Sequence, residues 1–323
     1  MVRLASAFLV SRPARWFGSS LRGLALASLI ANIGIIVTGA AVRLTKSGLG
    51  CPTWPRCTDE SYVSTPEMGI NGAIEFGNRL LTFVLVAIAV ACFIGALVRR
   101  RRSLTRLSVA IALGIPGQGV IGGITVLTNL NPWVVGLHFI LSIALIAGAF
   151  ALWRRVGEGD GDPVPLVPAP LRQLARVTAA AGLAVIAAGV VVTGSGPHSG
   201  DQGAKRNGLD PAQISQVHAD LVFLLIGLTV ALWFALRAVG APAAAVRAVA
   251  VLFWVEMGQG LIGFVQYFTH LPVALVAAHM LGSGLVWTST LAVLWSLRSR
   301  PESPAPAPPA PTPAAVGEPV PAA

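Results

Sequence analysis

Apolar residues in this chain come in long unbroken runs rather than in stripes, and eight of them are long enough to cross a bilayer, which takes about 20 residues of helix. They cover roughly residues 22–42, 73–98, 105–127, 132–153, 174–194, 213–236, 246–267 and 272–297. Each run is bounded by charge, by Pro and Gly, or by a polar connection. The first run follows a basic leader like that of a secretory signal, but it is longer than a signal core. The spans alternate consistently only if it is kept as a helix. From Pro301 onward Pro and Ala dominate without apolar periodicity, which predicts a disordered extension.

Composition agrees with the pattern: 54% of the 323 residues are hydrophobic and 11% charged, against about 25% charged in a soluble domain. That excludes an ordinary soluble enzyme, a disordered chain and a disulfide-rich secreted module. The net charge of +10 would suggest nucleic acid in a polar protein, but so apolar a chain offers it no surface, and no nucleic acid is expected. Seventeen of the 23 basic residues fall in the N-terminus, the even-numbered connections and the tail, Arg99, Arg100, Arg101, Arg102 and Arg106 among them. Only Arg43, Lys46, Arg56, Arg79, Lys205 and Arg206 fall on the other side. The positive-inside rule then places both termini in the cytoplasm.

Two segments repeat. GQGVIGGITVLTNLNPWVVGLHF starts at Gly117 and GQGLIGFVQYFTHLPVALVAAHM at Gly258, so that Gln118 and Gln259, like His138 and His279, stand 141 positions apart. A looser match joins IIVTG, ending at Gly39, to VVVTG, ending at Gly194. Four helices per half is an even number, so the copies insert the same way round, a parallel repeat. The expected fold is an all-α integral membrane protein, eight transmembrane helices forming two four-helix bundles. Its parts are a cytoplasmic N-terminus (1–21), an N-terminal bundle (22–153), a cytoplasmic linker (154–173), a C-terminal bundle (174–297) and a Pro/Ala-rich cytoplasmic tail (298–323). The repeated glycines are accounted for by close helix packing; the recurring histidine is not.

Of five histidines, His138, His218 and His279 stand near the outer ends of predicted helices, where an ionisable group is costly and suggests function. His218 and His279 come from two helices at similar depth, as two axial ligands of one heme iron would. A hydrogen-bonded histidine pair in the core is the alternative. In the first half His138 matches His279, but Asn78 stands where a match to His218 is expected, and Glu75 lies one turn earlier with no counterpart carboxylate. One half is thus expected to hold a fixed cofactor, the other a reacting one. Glu75 has a plainer reading as the salt-bridge partner of Arg79. His198 and His270 read as solvated loop histidines. Cys51 and Cys57 in CPTWPRC suit a structural disulfide, a redox dithiol or a metal pair; Cys92 reads as packing.

Taken together, the GQG…His repeat, CPTWPRC and IEFGN resemble the heme A synthase family over about residues 20–298. That resemblance implies an oxidoreductase that converts a methyl substituent of heme O, through a hydroxylated intermediate, to the formyl group of heme A for heme-copper oxidase assembly. It implies a resident heme b on His218 and His279, substrate heme binding by His138 and Asn78, Glu75 as the catalytic carboxylate, and a Cys51–Cys57 disulfide. Arg79, Arg43 and Lys205 are candidate contacts for heme propionates. It implies a bacterial plasma-membrane protein with its heme sites near the outer face. Implied partners are the lipid bilayer, heme O synthase, cytochrome oxidase assembly factors and a second copy of the chain. The family's usual Glu-x-x-His turn is Glu75-x-x-Asn78 here, which leaves His138 alone on its side or Asn78 positioning a water. The rival readings are a b-type cytochrome electron-transfer subunit without heme-modifying activity, and a transporter, which would place its polar groups at midplane.

Overall fold

The computed structural model describes residues 12–301. Residues 1–11 and 302–323, and with them most of the leader and the Pro/Ala-rich tail, lie outside the described residues. Among the described residues, eight helices are long and apolar enough to cross a membrane: α1 (Arg12–Leu44), α2 (Gly69–Val98), α3 (Arg102–Leu127), α4 (Pro132–Val156), α5 (Ala169–Ser195), α6 (Pro211–Ala238), α7 (Ala243–Phe268) and α8 (Val273–Ser296). The protein is a multi-pass, all-helical membrane protein, as its apolar runs predict.

The ends of these helices follow local chemistry. Asn131 caps α4 by accepting from the Trp133 amide, and Asp210 caps α6 by accepting from those of Ala212 and Gln213; each is followed by a proline at the first helical position, where its missing N–H costs nothing. Helix α1 starts ten residues before its apolar run. Its extra turns pack on the end of α2, where the backbone of Phe17 leaves no room for a Cβ at Gly95 and the Gly18 carbonyl accepts from Arg99.

Helix α1 packs on α2 and α4, α3 joins α2 and α4, and α5 to α8 make the corresponding contacts among themselves. Helix α8 also touches α1 and α4. Its Trp287 indole donates to the Ile143 carbonyl at 3.1 Å, and Trp295 sets its edge on Phe150. The halves therefore share one packed seam. The duplicated segment is built twice in the same way. In the α3–α4 turn, Asn129 and Leu130 have positive φ, and the Leu130 amide bonds back to Thr125; in the α7–α8 turn, His270 and Leu271 do the same and Leu271 bonds back to Gln266. These positions are 141 apart, and Asn and His tolerate the left-handed region better than most residues. His270 is thus a turn residue.

The connections gather at two ends. At one, Arg101 before α3 pairs with Asp160 after α4, Arg155 pairs with Glu158 and Asp160, and Arg298 after α8 pairs with Glu158. Here the linker is not loose: Val164–Pro165 (β1) pairs antiparallel with Arg298–Ser299 (β2). At the other end, the Gly48 amide donates to Gly200, Arg43 to the carbonyls of Thr193 and His198, and His198 Nε2 meets the Leu271 carbonyl.

Candidate functional site

The second end carries the residues singled out in the sequence. The imidazoles of His218 on α6 and His279 on α8 face one another with ring centres 6.4 Å apart and planes crossing at 74°. Two imidazoles that each bond one metal ion at about 2 Å have ring centres roughly 6 Å apart, so the pair has the spacing of axial ligands. It is too wide for the direct hydrogen bond of a core histidine pair. In both rings Nδ1 is buried without a hydrogen-bond partner. The residues present fit an iron porphyrin held between α6 and α8.

Glycines on the neighbouring helices make room for the rings. A Cβ at Gly189 on α5 would approach the His218 ring to 3.1 Å, and one at Gly263 on α7 the His279 ring to 3.2 Å. The Gln259 side-chain amide, one turn before Gly263, donates to the His279 carbonyl at 2.6 Å. The first half repeats half of this construction. Gly122 lies against His138, with a Cβ 3.4 Å from the ring, and the Gln118 amide donates to the His138 carbonyl at 3.1 Å. His138 likewise has a buried, unpartnered Nδ1.

Across from His138 the halves diverge. Asn78 is drawn to α1, where its Oδ1 accepts from Thr38 at 2.7 Å. Thr193, which matches Thr38 in the looser repeat, instead bonds its own helix at Gly189. Gly34 matches Gly189, and a Cβ there would meet no atom within 4 Å. Where the second half has an imidazole packed on a glycine, the first half has an uncovered glycine.

Glu75 is buried and held by two partners. Oε2 accepts from the Cys51 amide at 2.6 Å, and Oε1 from Arg79 at 2.6 Å. Arg79 also donates to the carbonyls of Cys51, Thr53 and Arg56. The salt bridge expected from the helix spacing is present, and it serves to fasten the first loop to α2. In that loop Cys51 and Cys57 form a disulfide, both buried, with Cα atoms 4.4 Å apart, so neither holds a metal. The Trp54 indole lies flat on the backbone of α3 at Gly123, where any Cβ would collide with it. Arg43 is spent on backbone carbonyls; Lys205 is exposed. Cys92 is buried in the core of the first half.

One buried group escaped the sequence reading. Glu256, midway along α7, is 3% exposed; Oε1 accepts from Thr229 on α6 at 2.9 Å, and Oε2 has no partner. Its signal was available, as a lone acid inside a long apolar run, but the repeat places Ile115 opposite it and drew no attention there.

Comparison with known proteins decides the family. A family model described as cytochrome oxidase assembly protein matches residues 22–198, more than half of the chain. The chain belongs to that family. Heme A synthases are among its similar curated proteins: that of Bacillus pumilus is 30% identical over 155 residues, 46% of this chain and 48% of that protein. Those of Alkalihalophilus pseudofirmus, 30% over 147 residues (44% and 48%), and Shewanella oneidensis, 28% over 167 (46% and 50%), are comparable. The chain spans about half the length of the curated relatives it matches. The family match encloses Cys51, Glu75, Asn78 and His138 but ends before His218 and His279, whose pairing stands on the geometry above.

Proposed function

We propose that the chain is a heme A synthase, oxidising the methyl substituent of heme O through a hydroxylated intermediate to the formyl group of heme A. The observation that carries the reading is the unequal pair of sites: two facing imidazoles in residues 174–297, and in residues 22–153 one imidazole on α4 with a buried carboxylate on α2, two helices that do not touch each other. A protein that only transfers electrons needs the same ligation twice. One that modifies a heme needs one fixed and one open site.

His218 and His279 would hold a resident heme b, which when bound supplies one-electron transfer. His138 would hold the substrate heme from one face. Gln118 fixes the helix carrying His138 by its amide, and Gly122 lets the ring stand against α3. Thr38 keeps Asn78 back on α1, leaving room over Gly34 on the other face. Glu75, three residues before Asn78 on α2, would serve as the general base: an ionised carboxylate accepts a proton or stabilises positive charge developing beside it. Arg79 and the Cys51 amide set the direction of its oxygens. Lys205, the exposed cation of the three singled out, is the best placed to meet propionates; Arg43 and Arg79 would have to exchange backbone carbonyls for them.

The sites would lie near the outer face, with both termini in the cytoplasm, and heme O would arrive through the bilayer from its synthase for delivery to oxidase assembly, the chain acting alone or as a homo-oligomer. The test is to produce the chain in cells supplied with heme O and to extract the hemes. Heme A or its hydroxylated precursor is expected. Folded protein carrying heme b with heme O unchanged would instead describe an electron-transfer cytochrome.

A further inference from the structure

We propose that the turn between α2 and α3 is a binding site for the phosphate of an anionic phospholipid. A groove of about 310 Å³ opens there, lined by Leu97, Arg100, Arg102, Thr105 and Arg106. Three other arginines on this end are paired with acids: Arg101 with Asp160, Arg155 with Glu158 and Asp160, Arg298 with Glu158. Arg100, Arg102 and Arg106 are exposed, and among the described residues none makes an ion pair or side-chain hydrogen bond. No acid lines the groove. Three arginines border one opening whose wall is largely their apolar stems and Leu97, with acids absent from it and present next door; their exposed guanidiniums can close over an anion with several oxygens.

Two further observations point the same way. The groove sits on the first turn of α3, whose N-cap, Arg101, offers no side-chain acceptor; the leading amides of this 26-residue helix keep their partial positive charge. The turn is made by Arg100 at φ +53°, so an arginine occupies a conformation that glycine would adopt more easily. Because α2 ends at Val98 and α3 begins at Arg102, the groove lies where membrane helices end, level with headgroups, and Leu97 offers an apolar wall to the start of an acyl chain. A lipid phosphate reaches this depth with its charge already at the surface. The carbonyl of Arg101 is committed to Thr105 within the helix.

The test is native mass spectrometry of the full-length purified protein titrated with phosphatidylglycerol or with phosphatidylcholine of the same acyl chains. Phosphatidylglycerol should be retained preferentially, and less so at high salt. Arg100→Gly, Arg102→Gln and Arg106→Gln should each lower that preference roughly fivefold, and Arg106→Lys should restore part of it. Arg100→Gly relieves the backbone rather than straining it, so it stays informative if Arg102→Gln or Arg106→Gln folds poorly. Equal retention of both lipids by the wild type would overturn the proposal. So would an equal loss in Arg176→Gln/Arg237→Gln/Arg247→Gln, which removes the same charge elsewhere on this end, or displacement of the lipid by an equal concentration of inorganic phosphate.

Discussion

His279 stands in a space its own helix does not make. Gly263 on α7 provides it, and a methyl group there would have to push the ring, 3.2 Å away. Gly263→Ala should therefore disturb the heme proposed between His218 and His279 without removing either imidazole, broadening or shifting its low-spin absorption, while the same change at Gly34, which meets nothing within 4 Å, should leave it alone. Equal spectra in the two variants would show that the glycine does not position the ring. Glu75 is under the opposite constraint, being held by two strong partners. Glu75→Ala breaks a buried pair, which costs about 3–5 kcal/mol, and should abolish turnover; Glu75→Gln keeps the shape and should still lose turnover by at least about 100-fold if proton transfer is its task. Turnover by Glu75→Gln at the wild-type rate would reduce the residue to a fastener of the loop. Glu256 was hidden by its own isolation. The internal repeat makes matched residues conspicuous and says nothing of a carboxylate that only one half possesses.

Among the elements, the first outer loop depends on α3 as much as on its disulfide. Trp54 lies on Gly123, and an alanine there costs about 1–3 kcal/mol of overpacking. Gly123→Ala should raise proteolysis in residues 51–65 with the disulfide intact; unchanged protection would show that the disulfide alone holds the loop. At the other end, the linker is closed by Asp160. A hydrogen bond from Arg101, aided by Ser103 and the charges of Arg101 and Arg155, holds its pKa at about 2 against the outward pull of partial burial. A depressed carboxylate stabilises the fold above its unfolded pKa of about 4 and stops doing so as the pH falls through about 2. Amide protection in residues 158–166, taken relative to the intrinsic exchange rate at each pH, should thus fall between pH 4 and pH 2, and Asp160→Asn should show the lowered protection already at pH 6. The eight spans were legible because a bilayer admits only long apolar helices. The pairing of β1 with β2 was not, because a two-residue strand beside Pro and Gly leaves no periodic trace and joins segments far apart in sequence.

As a whole, the proposed function assigns two chemistries to one repeated segment. The duplicated GQG…His segment folds identically in both halves, down to the positive-φ turn and the glutamine that anchors each histidine's helix, and this much could be read from the 141-residue spacing. The difference between the halves could be read as Asn78 in place of a histidine. What the sequence withheld was the reason the substitution leaves a space, because Thr38 draws the amide away only once α1 and α2 are packed. The net charge, which in a polar protein would suggest a polyanionic partner, is accounted for by arginines gathered at one end of the bundle; among the described residues Arg101, Arg155 and Arg298 are paired with acids, and Arg100, Arg102 and Arg106 line the groove there. The most direct test of the account is pigment analysis of the purified chain produced with a supply of heme O. The wild type should hold heme b together with heme O or its oxidised products. His218→Ala or His279→Ala should lose heme b while keeping some substrate heme, and His138→Ala should lose the substrate heme while keeping low-spin heme b. Loss of both hemes from either folded variant, or of neither, would contradict the division of the chain into a resident and a reacting half.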